Sequence, residues 1–257
     1  MPDWLDDVPA WEQREVIDHF DAKTNQLDSS FLPDPISFEE AIKRRSSGEP
    51  LEYILRHCHI DQITLKTDSR ALIPRPETET MVRRFAEGLD KLPPGPIVDC
   101  GTGSGFMAIW LVTHTQRAVV ATDRFAEPLT LARENRQDLG GTFSLVRADR
   151  LTAFDSFAGA VINLPYVDPD SDRLFPSVRD NEPDEALYPT DNILVFYMEL
   201  LNQIEQKLSS GGEVWIEGDQ KIFQRLRTAG AFEHLSLQSS ILKDNYGQFR
   251  FLLLQAP

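Results

Sequence analysis

Cysteine is almost absent: Cys58 and Cys100 are the only two in 257 residues. That excludes a disulfide framework and the paired-cysteine spacing of a zinc site. Long apolar runs are missing too, and no window approaches the roughly 18 consecutive apolar residues that a membrane span needs. Residues Met1 to Glu15 are acidic, without the basic start and apolar stretch of a secretory signal. A cytoplasmic location without membrane contact is therefore the expectation. Positive charge is in deficit, with 26 Lys and Arg against 41 Asp and Glu, a formal net charge of −15. Nucleic-acid affinity comes mainly from neutralising phosphates, so this balance argues against a nucleic-acid partner and for a protein one. The basic clusters Lys43-Arg44-Arg45 and Arg83-Arg84 fall in helix-like stretches and read as solvated faces.

What is present reads as a globular chain, long enough for one large domain and a smaller one. Residues 1–55 read as a small helical domain. Trp11 to Leu27 has helical spacing at Trp11, Val16, Ile17 and Phe20, a breaker stretch follows from Asp28 to Ser37, and a second helix covers Phe38 to Ser46. Residues 56–80 form a linker in which Ile60, Ile63, Leu65 and Leu72 alternate loosely, predicting a β-hairpin over 60–73. A helix follows over Glu77 to Asp90. From 81 to 257 strands and helices alternate. The strands fall at Pro96–Cys100, Ala118–Asp123, Thr142–Arg147, Gly159–Asn163 and Glu213–Glu217, with a closing pair at Leu235–Leu242 and Phe249–Leu254. The helix Asp191 to Leu208 stops at Gly211-Gly212, a C-terminal signal. The pattern predicts an α/β, doubly wound, mostly parallel seven-stranded sheet with an antiparallel C-terminal hairpin.

Three features carry chemistry. Asp99-Cys100-Gly101-Thr102-Gly103-Ser104-Gly105 closes the first strand of the alternating part and opens a helix, and its glycines let backbone approach a ligand. Its spacing matches neither the dinucleotide fingerprint nor a phosphate-binding P-loop. Asp123 ends the next strand, where an acid accepts from both ribose hydroxyls, with Arg124 beside it. NAD enzymes carry an acid there as well, so the pair specifies a nucleoside and leaves its identity open. Asp149, followed by Arg150, is placed either to accept from an adenine amino group or simply to make a turn. The third feature is Ile162-Asn163-Leu164-Pro165-Tyr166, after the fourth strand. Such a segment also occurs in ordinary turns, but here it follows a glycine-rich turn and a strand-end acid, each at the matching strand end. His57-Cys58-His59 lacks a third ligand and is not read as a metal site.

This loop resembles the Asn-Pro-Pro-Tyr signature of S-adenosylmethionine (AdoMet)-dependent methyltransferases that act on planar nitrogens, with Leu164 in place of the first proline. An amide nitrogen is a poor nucleophile, and the resemblance implies that the Asn163 side chain and the carbonyl of Leu164 accept its two N–H groups and orient it, by positioning and fixed dipoles, with no metal and no classical base required. Ala71-Leu72-Ile73-Pro74-Arg75-Pro76-Glu77-Thr78-Glu79 narrows the resemblance to the glutamine-N5 methyltransferases of peptide-chain release factors. So do Arg44–Tyr53, Val178–Pro183 and Asp244–Arg250. The resemblance implies a class I AdoMet-dependent methyltransferase fold and S-adenosyl-L-homocysteine as the product. The implied substrate is the glutamine of the Gly-Gly-Gln loop of a class I release factor, and a monomer is expected. It implies AdoMet contacts from Asp99, Gly101, Thr102, Gly103, Gly105, Asp123, Arg124, Asp149, Arg150 and Asn163, and catalysis at Asn163, Leu164, Pro165 and Tyr166. Substrate contacts are implied for Arg75, Pro76, Glu79, Asn163, Tyr166 and Glu182. Two other readings stay open: a methyltransferase for nucleic-acid exocyclic amines, which a basic groove beside Asn163 would favour, and a degenerate AdoMet-binding homologue without turnover. Residues 1–37 fit the family less well than the rest.

Overall fold

The computed structural model describes residues 20–21, 26–27, 36–169 and 174–257. At the N-terminal end Phe20–Asp21 (β1) pairs antiparallel with Gln26–Leu27 (β2). This corrects the helix expected to run as far as Leu27. The apolar spacing of that stretch, at Trp11, Val16, Ile17 and Phe20, ends at Phe20. The rest of that expected helix lies outside the described residues. Two helices follow, Phe38–Ser46 (α1) and Leu51–Leu55 (α2). Ser37 caps α1 by accepting from the Glu40 amide.

The hairpin comes earlier than its expected range. His57–Ile60 (β3) pairs with Ile63–Lys66 (β4), because the turn falls at Asp61, which adopts a positive φ of 54°. Residues 67–75 are a loop, and Pro76–Ala86 (α3) starts with proline at its first turn and acids at Glu77 and Glu79, as the helix dipole favours.

The remaining chain builds a seven-stranded sheet from Ile97–Cys100 (β5), Val119–Asp123 (β6), Ser144–Arg147 (β7), Phe157–Ile162 (β8), Leu208–Glu217 (β9), Gln238–Lys243 (β10) and Phe249–Gln255 (β11). Their order is β10-β11-β9-β8-β5-β6-β7. Pairings among β5 to β9 are parallel, while β11 runs antiparallel to both β9 and β10. The doubly wound sheet and its closing hairpin are as the sequence leads one to expect. β5 and β8 are buried along their whole length, so they read as continuous apolar runs.

Helices cover both faces. On one face α3 and Phe106–His114 (α4) pack with the β3–β4 hairpin. There Cys58, Ile60, Ile63 and Leu65 join Phe85 and Trp110 in a single core. The other face carries Ile193–Lys207 (α8) and Gln220–Thr228 (α9). Three further helices are Ala126–Leu139 (α5), Pro176–Arg179 (α6) and Asp184–Leu187 (α7). The Gly211-Gly212 pair does not end α8, which stops at Lys207 with β9 following at once. The pair serves an irregularity in β9, where the register on β8 jumps from Phe157↔Leu208 to Gly159↔Glu213. A Cβ on Gly212 would lie 2.7 Å from the Ala158 carbonyl oxygen, closer than a side chain tolerates.

Order reverses between β5 and β8, so the crevice for a ligand lies at their carboxyl ends. One buried side chain links this crevice to the hairpin. Asn135 of α5 accepts from the Lys66 amide (2.7 Å) and donates to the carbonyls of Lys66 (3.0 Å) and Ser104 (2.9 Å). Asn135→Ala would leave three backbone groups, the buried Ser104 carbonyl and the part-buried amide and carbonyl of Lys66, without these partners. Urea unfolding of that variant is expected to show a loss of about 2–3 kcal/mol; an unchanged midpoint would show that water replaces the amide at no cost.

Candidate active site at the carboxyl ends of the strands

β5 ends at Cys100, and the chain turns through Gly101, Gly103 and Gly105 with φ of 80°, 53° and 90°. Only glycine takes up such angles readily. The turn is fastened from below. Asp99 is fully buried; one of its oxygens accepts from Thr102 Oγ1 (2.7 Å) and from the Ala108 amide in α4 (2.9 Å). The Gly101 and Thr102 amides both donate to the Thr122 carbonyl in β6. At Gly101 space is decisive: a Cβ there would stand 2.8 Å from the Asn163 carbonyl oxygen and 2.8 Å from Leu164 Cδ2. The turn after β5 and the loop after β8 are thus pressed together.

Above this turn lies a cavity of about 430 Å³. Gly101, Thr102 and Gly103 line it, with Asp123 and Arg124 from the end of β6, Asp149 and Arg150 beyond β7, and Asn163, Leu164 and Pro165 after β8. Phe106, Met107 and Phe125 give it apolar walls. Asp123 is held by two amides, from Gly103 (3.2 Å) and Phe125 (3.0 Å), and burial raises its carboxyl above the ordinary range. Each of its oxygens retains a lone pair for a further donor. The donor set fits a nucleoside: a carboxylate for a ribose diol, apolar walls for a flat ring, and a side-chain-free turn for a tail. Two residues expected here do not face the cavity. Asp99 lies beneath the turn, and Gly105 lies where a Cβ would crowd Ala132 of α5 at 3.2 Å. Both shape the turn and do not line the space. Arg150 lines the cavity, but its guanidinium is committed to Glu199 (2.7 Å), the Phe196 carbonyl (3.1 Å) and Asp149 (3.1 Å).

A second cavity of similar volume opens on the other side of Asn163. Asn163 lines both, as Leu72 and Ala186 do, so it stands in the wall between two compartments. Arg75, Tyr166, Glu217, Asp219 and Arg250 line the second. Of the residues expected to contact a substrate, Arg75, Asn163 and Tyr166 are there, whereas Pro76, Glu79 and Glu182 are not. Pro76 opens α3, and Glu79 pairs with Arg83 one turn along it (2.7 Å). Glu182 is buried and holds the loop, binding the Arg75 guanidinium and the Ile73 amide. It acts on Arg75 from behind.

Leu164 replaces a ring with two other restraints. Its side chain packs toward the α8 face of the core, and its carbonyl accepts from the Tyr197 hydroxyl (3.3 Å). A carbonyl has a second lone pair, which leaves one for a ligand.

Three contributors escaped the sequence reading. Thr78 donates to Glu217 (2.7 Å) and accepts from Asn163 Nδ2 (3.2 Å), and Tyr197 holds Leu164. Glu217 had a visible signal, an acid closing the apolar strand Val214-Trp215-Ile216, the same signal that Asp123 gives. Tyr197 had none, because helical spacing marks it only as core.

Comparison with known proteins adds three findings. No family model matches the chain. The release factor glutamine methyltransferase of Lactococcus lactis is 33% identical over 216 residues, 83% of this chain and 80% of its own. That of Deinococcus radiodurans is 33% identical over 221 residues, 83% and 77%. Among solved structures, the 16S rRNA N2 G1207 methyltransferase of Thermus thermophilus, in complex with AdoMet and guanosine, aligns with a TM-score of 0.54. It is 14% identical and covers 78% of this chain and 50% of its own, a likeness of fold.

Burial lifts the Asp99 carboxyl from 3.8 to about 7, with Thr102 and Ala108 opposing. The folded chain therefore holds this proton more tightly than the unfolded one, and stability falls as pH rises from 3.8 to about 7. Glu217, raised to about 7 by the same cause, adds to the slope. Asp99→Asn is expected to flatten part of it and to gain on the parent protein above that window, measured by urea unfolding across the range. Equal slopes in both proteins would contradict this.

Proposed function

Because the chain belongs to the release factor glutamine methyltransferases, we propose that it transfers the methyl group of AdoMet to the side-chain nitrogen of a protein glutamine, that of the Gly-Gly-Gln loop of a class I release factor. The observation that carries the reading is the placement of Asn163 in the wall shared by the two cavities. The cavity beside the glycine turn takes the cofactor. Asp123 accepts from the ribose hydroxyls, Asp149 flanks the adenine edge, and Gly101 to Gly103 leave room for the methionine part. AdoMet supplies an electrophilic methyl group there. The second cavity takes the glutamine, where the Asn163 oxygen and the Leu164 carbonyl accept its two N–H groups and Tyr166 packs on the flat amide. Held this way, the nitrogen is oriented and the charge that develops on it meets fixed dipoles.

Two observations favour a protein substrate over a nucleic acid. The second cavity is balanced in charge, Arg75, Lys221 and Arg250 against Glu77, Glu217 and Asp219, and is no basic groove. The basic clusters also have acidic or carbonyl partners within the chain: Arg44 binds Glu49, Arg83 binds Asp61, and Arg84 binds the Lys243 carbonyl. No helix among the described residues is long and apolar enough to cross a membrane. A cytoplasmic monomer accords with this reading. Against a degenerate homologue stands the Tyr197 contact, which restrains Leu164 where the family's loop has proline.

Incubation of a purified class I release factor with the protein and AdoMet is expected to add one methyl group to the Gly-Gly-Gln glutamine, read by mass spectrometry. Asn163→Ala should lower the rate by about 10²–10³ with cofactor affinity retained. Asp123→Ala should weaken AdoMet binding by about 10–100-fold, as loss of a charged hydrogen-bond acceptor does. Wild-type turnover by Asn163→Ala would overturn the assignment of the catalytic loop.

A further inference from the structure

Asn163 does not stand alone in the partition. Its Nδ2 donates to Thr78 Oγ1 at 3.2 Å, and the same hydroxyl donates to Glu217 Oε2 at 2.7 Å. The three residues come from three elements: the first turn of α3, the end of β9 and the loop after β8. Thr78 and Glu217 are 4% and 2% exposed, so water does not compete freely for these bonds.

We propose that Thr78 and Glu217 are positioning residues which fix the direction in which the Asn163 carboxamide faces, Glu217 acting through the Thr78 hydroxyl. The inference rests on the reading of Asn163 as the group that orients the methyl-accepting amide. Its logic is one of polarity. An ionised carboxylate can only accept, and a threonine hydroxyl has a single hydrogen to give. Glu217 takes that hydrogen, so the Thr78 oxygen can only accept from Asn163. The NH₂ end of the carboxamide is thereby drawn to Thr78, and Oδ1, the acceptor that a substrate N–H needs, is the end left for the ligand. Without the relay the amide could turn over and present donors to a donor.

The direction holds only while Glu217 is ionised. A protonated Glu217 can donate to Thr78, whose hydrogen is then released toward Asn163, and the polarity reverses. Several charged and titratable groups face Glu217. Burial raises its carboxyl, the hydrogen bond from Thr78 opposes this, Glu77 of α3 raises it further, and Arg250 of β11 and Arg75 before α3 lower it, with a result of about 7. Tyr166 of the catalytic loop, Tyr197 of α8 and Asp219 before α9 complete its surroundings. Turnover should therefore fall as pH drops through about 7.

The test uses the full chain in two measurements. In protein labelled with ¹⁵N-asparagine and no ligand, hydrogen exchange at the Asn163 carboxamide reports the relay directly. One of its protons is expected to be protected in the parent protein and in Thr78→Ser. In Thr78→Val it should exchange about tenfold faster, the worth of one buried hydrogen bond. In the transfer assay Thr78→Val should lose about tenfold or more in kcat, with AdoMet affinity unchanged. Thr78→Ser should restore the rate, and Glu217→Gln should lack the acid limb near pH 7. Unchanged exchange in Thr78→Val overturns the relay, as does an acid limb near pH 7 that persists in Glu217→Gln. If the parent protein itself transfers no methyl to the release factor, the functional reading fails and exchange alone decides the relay. Glu217→Gln keeps the side-chain shape, so the inference does not depend on the folding of Thr78→Val.

Discussion

Two loops meet where a side chain would not fit. The carbonyl of Asn163 and the side chain of Leu164 occupy the space that a Cβ on Gly101 would take. This contact joins the end of β5 to the end of β8, the two strands between which the sheet reverses its order. Everything else in the site is arranged around it. The glycine turn lines one cavity, the loop after β8 lines both, and Asn163 of that loop stands between them. A methyl group handed between two ligands needs such a partition, since the donor and acceptor must be close yet bind separately.

Three acids stand at or near the carboxyl ends of three strands, and burial raises all three above the usual carboxylate range. Their tasks differ because their partners differ. Asp99 on β5 holds a turn and meets only the protein. Asp123 on β6 is steadied by two amides and lines the cavity beside the glycine turn. Glu217 on β9 meets a threonine and the partition. The same residue type at the same strand position thus gives scaffold, ligand contact and polarity control. Chemistry is read from partners, and strand position alone does not give it.

The sheet was legible because its signals are local and repeated. Short apolar runs end in Asp99-Cys100-Gly101, in Asp123 and in Asn163, and each marks a strand end facing ligand space. Element boundaries were less legible. Gly211-Gly212 looks like a helix stop, yet it serves a strand irregularity whose cause, the Ala158 carbonyl, lies about fifty positions earlier in the chain. Asp99 and Gly105 belong to the right motif, but no motif tells which of its residues face inward. Glu182 is similar: its segment is recognisable, but its action through Arg75 spans 107 positions. Long-range partners of this kind leave no periodicity, and Tyr197 leaves no mark beyond that of a core residue.

The bond from Tyr197 to Leu164 has an evolutionary side. A proline ring stiffens a loop from within, whereas here stiffness is lent from a neighbouring helix by a hydroxyl. With leucine at 164 the hydroxyl at 197 takes on the restraint that a ring would supply, so the two positions are coupled, and loss of the tyrosine is costlier here than it would be beside a proline.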